Sequence, residues 1–248
     1  MPVKIYDKSS GARPIPDSNS GLSQQTEELL HAIHLHSLEG PMAGARLGAK
    51  AIYQRLLAEA GNRQQVHFAS LLCNLGALAG YACQAYLRAQ AVARGMSETA
   101  AFLVVDALDG KQFFFGDPLN KILANSQYSL WSLAATAAHQ AGAEEFPDLD
   151  ELFQHTASVL GSKDFGIPRV PGRHRAGDTP LNYLKAQWAP LLPVVKSFCP
   201  DPANWPILYG MATQEAIILG KDAIPPALAL SIVMESAIPM SKIDLANS

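Results

Sequence analysis

Five basic side chains crowd one irregular stretch of the chain. Lys163, Arg169, Arg173, His174 and Arg175 fall within residues 161–178, a segment that also holds four glycines and two prolines. Arginine presents a planar fork of donors that matches phosphate or carboxylate. Connections this long inside a domain are uncommon and often functional. The segment is therefore the leading candidate for contact with a protein partner or an anionic ligand. The competing expectation pairs these cations with Asp164, Asp178, Glu144 and Glu145 and pins the loop to the surface.

A second polar series lies on the longest proline-free stretch, residues 64–94, which follows Gly61-Asn62 and is closed by Gly95. At 100° per residue, Phe68, Leu71, Leu72, Leu75, Leu78, Ala79, Ala82, Tyr86 and Ala89 share one stripe, the pattern of a core-facing helix. Ala69, Gly76, Gly80 and Cys83 lie a quarter turn away and leave a shallow groove for a neighbouring helix backbone. Opposite the core stripe run His67, Ser70, Asn74, Tyr81, Gln84 and Arg88. They form either a solvated face or, through His67, Asn74, Tyr81 and Arg88, the polar wall of a pocket between helices. Burial alone separates these two cases.

Other chemistry is thinner. Glu27, Glu28, His31, His34 and His36 sit on an N-terminal helix expected over 23–38, and Glu28-x-x-His31 has the spacing of half a di-iron site. No other histidine follows an acidic residue at that spacing, so no metal or cofactor is assigned. No nucleophile elbow, phosphate loop, dinucleotide fingerprint or zinc-protease helix occurs, and no catalytic residue is assigned. Cys73 and Cys83 would stand about 15 Å apart on one helix at 1.5 Å rise per residue, too far for a disulfide. They read as small core residues, while Cys199, before Pro200, is expected near the surface. Asp109-Gly110, between Phe102 to Leu108 and Lys111 to Phe115, reads as a type I′ turn joining two strands, with Asp106 in the first of them.

The elements that must position these groups are mostly helices. Beyond a flexible tail at 1–21, helices are expected over 23–38, 42–60, 64–94, 117–140, from Asp148 or Asp150 to 160, 180–188, 201–219 and 226–237. Pro190 and Pro193 should break the chain before a short piece at 194–198. A small hairpin is expected at 103–115. The fold class is thus mainly α: a single domain over 22–248, with eight to ten helices around the long central one. A net charge of −3 supplies no basic footprint for nucleic acid or an anionic membrane. Three unpatterned cysteines and no signal-peptide pattern suggest a cytoplasmic protein. The nearly all-apolar last helix should be buried within the fold or covered by a second subunit, and the second case would make the protein a homodimer. The leading expectation is a non-catalytic binding protein acting through the basic loop. Its rival is an enzyme or small-molecule binder with a pocket lined by the central helix.

Overall fold

The computed structural model describes residues 42–248, apart from 63–64 and 108–109. The tail, the helix at 23–38 with its Glu and His residues, and Asp109 lie outside the described residues. Seven helices of ten or more residues carry the described chain. They are α1 (Met42–Ala60), α2 (Phe68–Ala93), α4 (Leu130–Gln140), α5 (Leu149–Ser158), α6 (Pro180–Phe198), α7 (Trp205–Leu219) and α8 (Pro226–Met240); a single short turn, α3 (Asp117–Asn120), precedes α4. Among the described residues the count is thus seven, against the eight to ten expected for a chain that includes 23–38.

α2 sits at the centre, packed against α8, α7, α6 and α1. By length and composition it could cross a bilayer, yet 83% of its apolar window is buried inside the fold. Its glycines explain how α8 comes so close. A Cβ on Gly76 would stand 2.5 Å from the Val233 carbonyl oxygen, and one on Gly80 would strike the backbone of Ala237. The groove expected from Gly76 and Gly80 is a helix crossing, with the backbones nearly touching. α8 is buried along most of its length within this one chain, so its apolarity calls for no second subunit.

Several boundaries differ from expectation for local reasons. α2 begins at Phe68, not 64, because Gln65–Val66 pair with Gly61–Asn62 as a two-residue ladder (β2 with β1) and His67 caps the helix. The hairpin of β3 (Leu103–Asp106) and β4 (Gln112–Phe115) is present, and Phe113 and Phe114 anchor it in the core. Its turn is longer than a type I′. Ala107 N–H donates to the Lys111 carbonyl and Gly110 N–H to that of Ala107, with Gly110 at φ +81°; this places glycine in the left-handed position of a three-residue connection.

The helix expected at 117–140 is broken. α3 runs into a π-helical turn at Lys121–Asn125, Ser126 is extended, and α4 restarts with the Ser129 hydroxyl capping Ser132 N–H. The run Asn125-Ser126-Gln127-Tyr128-Ser129 is rich in side chains that compete for backbone hydrogen bonds. Conversely, α6 is continuous through Pro190 and Pro193. Both rings lie one turn apart on the exposed side, where the forfeited bonds leave carbonyls facing water. Cys199, expected near the surface, is buried.

Candidate functional site

Two consecutive helices and a third more than a hundred residues further on border a cavity of about 280 Å³. α1 contributes Leu56, Glu59 and Ala60, the first turns of α2 contribute His67, Ser70, Leu71 and Asn74, and α6 contributes Tyr183 and Gln187. The α2 residues meet there through helical periodicity. Residues 67, 70, 71 and 74 recur at spacings of three and four and share a face, and Tyr183 and Gln187 do the same on α6.

The wall is wired in a definite way. Ser70 N–H donates to His67 Nδ1 at 3.3 Å, and Ser70 Oγ lies 2.8 Å from the same nitrogen. Because the backbone donor needs Nδ1 as an acceptor, the Ser70 hydroxyl also donates to it, and the neutral ring carries its proton on Nε2. Gly177 N–H donates to Ser70 Oγ at 2.8 Å, which ties the end of the basic loop to the start of α2. Gln187 Nε2 donates to Glu59 Oε2 at 2.6 Å. Burial raises the Tyr183 phenol above its ordinary value, and a hydrogen bond with Ser70 offsets part of this.

Asn74 completes the wall and is the anomaly in it. It is only 7% exposed, and its Oδ1 has no hydrogen-bond partner among the described residues. An unsatisfied buried acceptor costs about 1–3 kcal/mol, and such groups in a native fold call for an explanation. The Tyr209 hydroxyl is the other buried polar atom left unpaired among the described residues. It lies in the apolar core against Trp188, while Asn74 faces a cavity.

Of the polar line read from the sequence, His67, Ser70 and Asn74 meet in this pocket, whereas Tyr81, Gln84 and Arg88 do other work. Tyr81 packs edge-on against Trp188 at 4.7 Å. Gln84, fully buried, donates to the carbonyls of Ser241 and Ile243, both at 2.9 Å. Arg88 bonds Gln84 and Glu98 and lies over the Phe114 ring. This half of the line is a staple between α2, the hairpin and the end of α8.

The basic set is also divided. Arg169 grips Glu151 through both terminal nitrogens, at 2.6 and 2.8 Å, and reaches Glu235 with Nε at 3.1 Å. These bonds hold the Glu151 carboxyl below its ordinary range. The acids come from α5 and α8, not from the expected Asp164, Asp178, Glu144 or Glu145. Arg173 donates to His174 Nε2 at 3.0 Å. Lys163 stands at the rim of a cavity of about 250 Å³ floored by Phe113, Phe165, Met240 and Ile243. His174 and Arg175 border another of about 260 Å³ over Ile232. The five residues therefore converge on no single centre, and the stretch contains one 3-10 turn, Gly172–His174.

Glu59, Tyr183 and Gln187 were not singled out in the sequence. The only trace was the i, i+4 spacing of the last two, which many surface helices share. Among the described residues no group of three or more His, Cys, Asp or Glu could hold a metal ion. Comparison with protein-family models, curated proteins and solved structures yields no match.

Proposed function

We propose that this chain is a small-molecule binder, with its site in the pocket between α1, α2 and α6. The observation that carries the proposal is Asn74, a buried carboxamide facing a cavity with its oxygen unpaired. A fold that needed only packing at this position would be served better by leucine, since replacing an unsatisfied polar group with an apolar one of similar shape is neutral or stabilising. Around it, His67, Ser70, Tyr183, Gln187 and Glu59 supply directional groups, while Leu56, Ala60 and Leu71 supply apolar surface. A few placed polar groups on an apolar ground are the usual make-up of a ligand site.

The test separates binding from folding. Asn74→Leu should unfold at the same temperature as the wild type or higher, and should lose any ligand that native mass spectrometry finds on wild-type protein purified from its host. A variant that is destabilised by several kcal/mol and still carries the same ligand would refute the proposal.

A second proposal, contact with a protein partner through the basic loop, keeps one support. Arg169 and Gly177 brace the loop at both ends, so that Arg173 and Arg175 stand exposed on anchored backbone. Paired Arg173→Ala and Arg175→Ala replacements should abolish co-purification of such a partner, and unchanged co-purification would remove this reading.

A further inference from the structure

β4 is covered on both edges and β3 on one. On its inner edge β4 pairs with β3, and on its outer edge Phe114 N–H donates to the Lys242 carbonyl at 2.7 Å. Among the described residues no strand lies beyond β3. Backbone groups alternate between the two sides of an antiparallel strand. Ala107 N–H donates to the Lys111 carbonyl, so Leu103 and Val105 also face β4, and the N–H and C=O of Val104 and Asp106 point outward. No backbone group of a described residue bonds them. The side chains are open as well: Leu103 is 66% exposed, more than any other large apolar side chain among the described residues, and Val104 is 37% exposed. Natural edges are usually guarded by lysine, proline or a bulge, and Phe102 to Val105 has none of these.

We propose that the outer edge of β3 pairs with the same strand of a second copy of this chain, antiparallel about a two-fold axis at Val104. The two Val104 residues then exchange both backbone hydrogen bonds, and each Asp106 N–H donates to the Phe102 carbonyl of the other copy. Leu103 stands opposite Val105, twice, as an apolar cross-strand pair. Charge favours this occupant and this register. Asp106 is the one charged residue in 102–106. Here it lies opposite Phe102 of the second copy, on the face where the Arg88 guanidinium sits 6.0 Å from the Phe102 ring. Arg88 Nε and Nη1 are engaged by Gln84 and Glu98, whereas Nη2 bonds no described residue. The two Asp106 residues stand about 14 Å apart along the strands at 3.4 Å per residue, beyond the screening length of about 8 Å. An axis at Val105 would halve that separation and set Asp106 against Val104. The second copy thus seats on the hairpin, not on α8, and the interface is independent of the pocket.

The experiment is sedimentation equilibrium of the full chain at neutral pH, from low micromolar to near-millimolar concentration. The average mass should rise from the 26.6 kDa of one chain toward twice that value. Leu103→Lys, at an exposed position, and Val104→Pro, which deletes an N–H that the hairpin does not use, should each weaken association at least about tenfold. Hydrogen exchange on the wild type supplies a readout that needs no variant: the Val104 and Asp106 amides should gain protection as concentration rises. A wild type that stays at the mass of one chain throughout overturns the proposal. Association unchanged by both substitutions, or exchange at these two amides that ignores concentration, overturns it equally.

Discussion

Lys242 follows the end of α8 and is 2% exposed, which is rare for a lysine lacking a counter-ion. Its Nζ donates to Asn120 Oδ1 at 3.1 Å and lies 5.1 Å and 5.7 Å from the ring centres of Phe115 and Phe153. Among the described residues no carboxylate pairs with it. Burial pushes the ammonium down from 10.5 to about 8. Since each tenfold change in proton affinity corresponds to about 1.4 kcal/mol, keeping this charge inside at neutral pH costs roughly 3 kcal/mol.

The sign follows from linkage. Below about pH 8 both folded and unfolded chains hold the proton, and the full cost applies. Between about 8 and 10.5 the folded amine is neutral while the unfolded one is still charged, so this group's contribution to stability rises with pH. Above 10.5 the cost is gone. Replacing Lys242 with methionine, which keeps the stem's length and removes the charge, should therefore raise stability at pH 7 by up to about 3 kcal/mol. That advantage should shrink through pH 8–10.5.

The assay is urea unfolding of both proteins at each half pH unit from 7 to 9, read as the difference between them. The difference matters because burial pushes the thiols of Cys73, Cys83 and Cys199 up from 9 to about 12. They lower the stability of both proteins above pH 9; the effect of Cys73 and Cys199 cancels in the subtraction, whereas Cys83 interacts with Lys242, so the comparison is read between pH 7 and 9. A Lys242→Met protein less stable than wild type at pH 7, or a difference that does not change with pH, would refute the argument. Either result would mean that the ammonium is solvated or paired in the folded chain.

Three further outcomes follow from the packing. Gly80→Ala should destabilise by about 1–3 kcal/mol or more, because the added methyl meets the Ala237 backbone of α8, which cannot step aside; chemical denaturation measures this, and a neutral result would mean that α2 and α8 are not in contact there. Arg169→Ala removes the clamp on Glu151 and on Glu235, the latter only 9% exposed. With the exposed half of the clamp discounted for screening, the loss should be about 1–2 kcal/mol, seen most directly as faster proteolytic cleavage within 161–178. The three buried thiols should fail to react with a disulfide reagent in the native protein at pH 8 and should all react once it is unfolded; a fast native thiol would contradict their burial.

Periodicity made the helices legible because a core face repeats every three to four residues wherever a helix packs. α1 runs over the expected span, and the stripe of leucines from Leu71 to Leu78 is buried as read. The hairpin was less legible, since Ser97-Glu98 could equally have opened a helix there, and only the β-branched and aromatic runs around Asp109-Gly110 favoured strands. Where local rules competed, the outcome lay with the surroundings. Pro190 and Pro193 should have ended a helix, but both face outward and α6 continues. Ser129, an unremarkable position in an expected 24-residue helix, became a cap because the chain turned just before it.

The candidate site was half visible. His67, Ser70 and Asn74 were on the page as a polar line because one helix sets their spacing. Whether that line faced water or protein was undetermined, for the same residues at the same spacing serve both. The fold divided it, giving His67, Ser70 and Asn74 a cavity and burying Gln84 as a structural tie. Arg169 shows the same limit, since its partners lie 18 and 66 residues away and no pattern of neighbours could name them.

The sequence by itself determined a mainly α chain with a glycine-notched central helix, because secondary structure and close helix crossings depend on residues near one another along the chain. Only the tertiary structure decided which polar groups meet. Glu59, Asn74 and Tyr183 come from three helices, and a site is built from groups adjacent in space, which depends on how those helices pack.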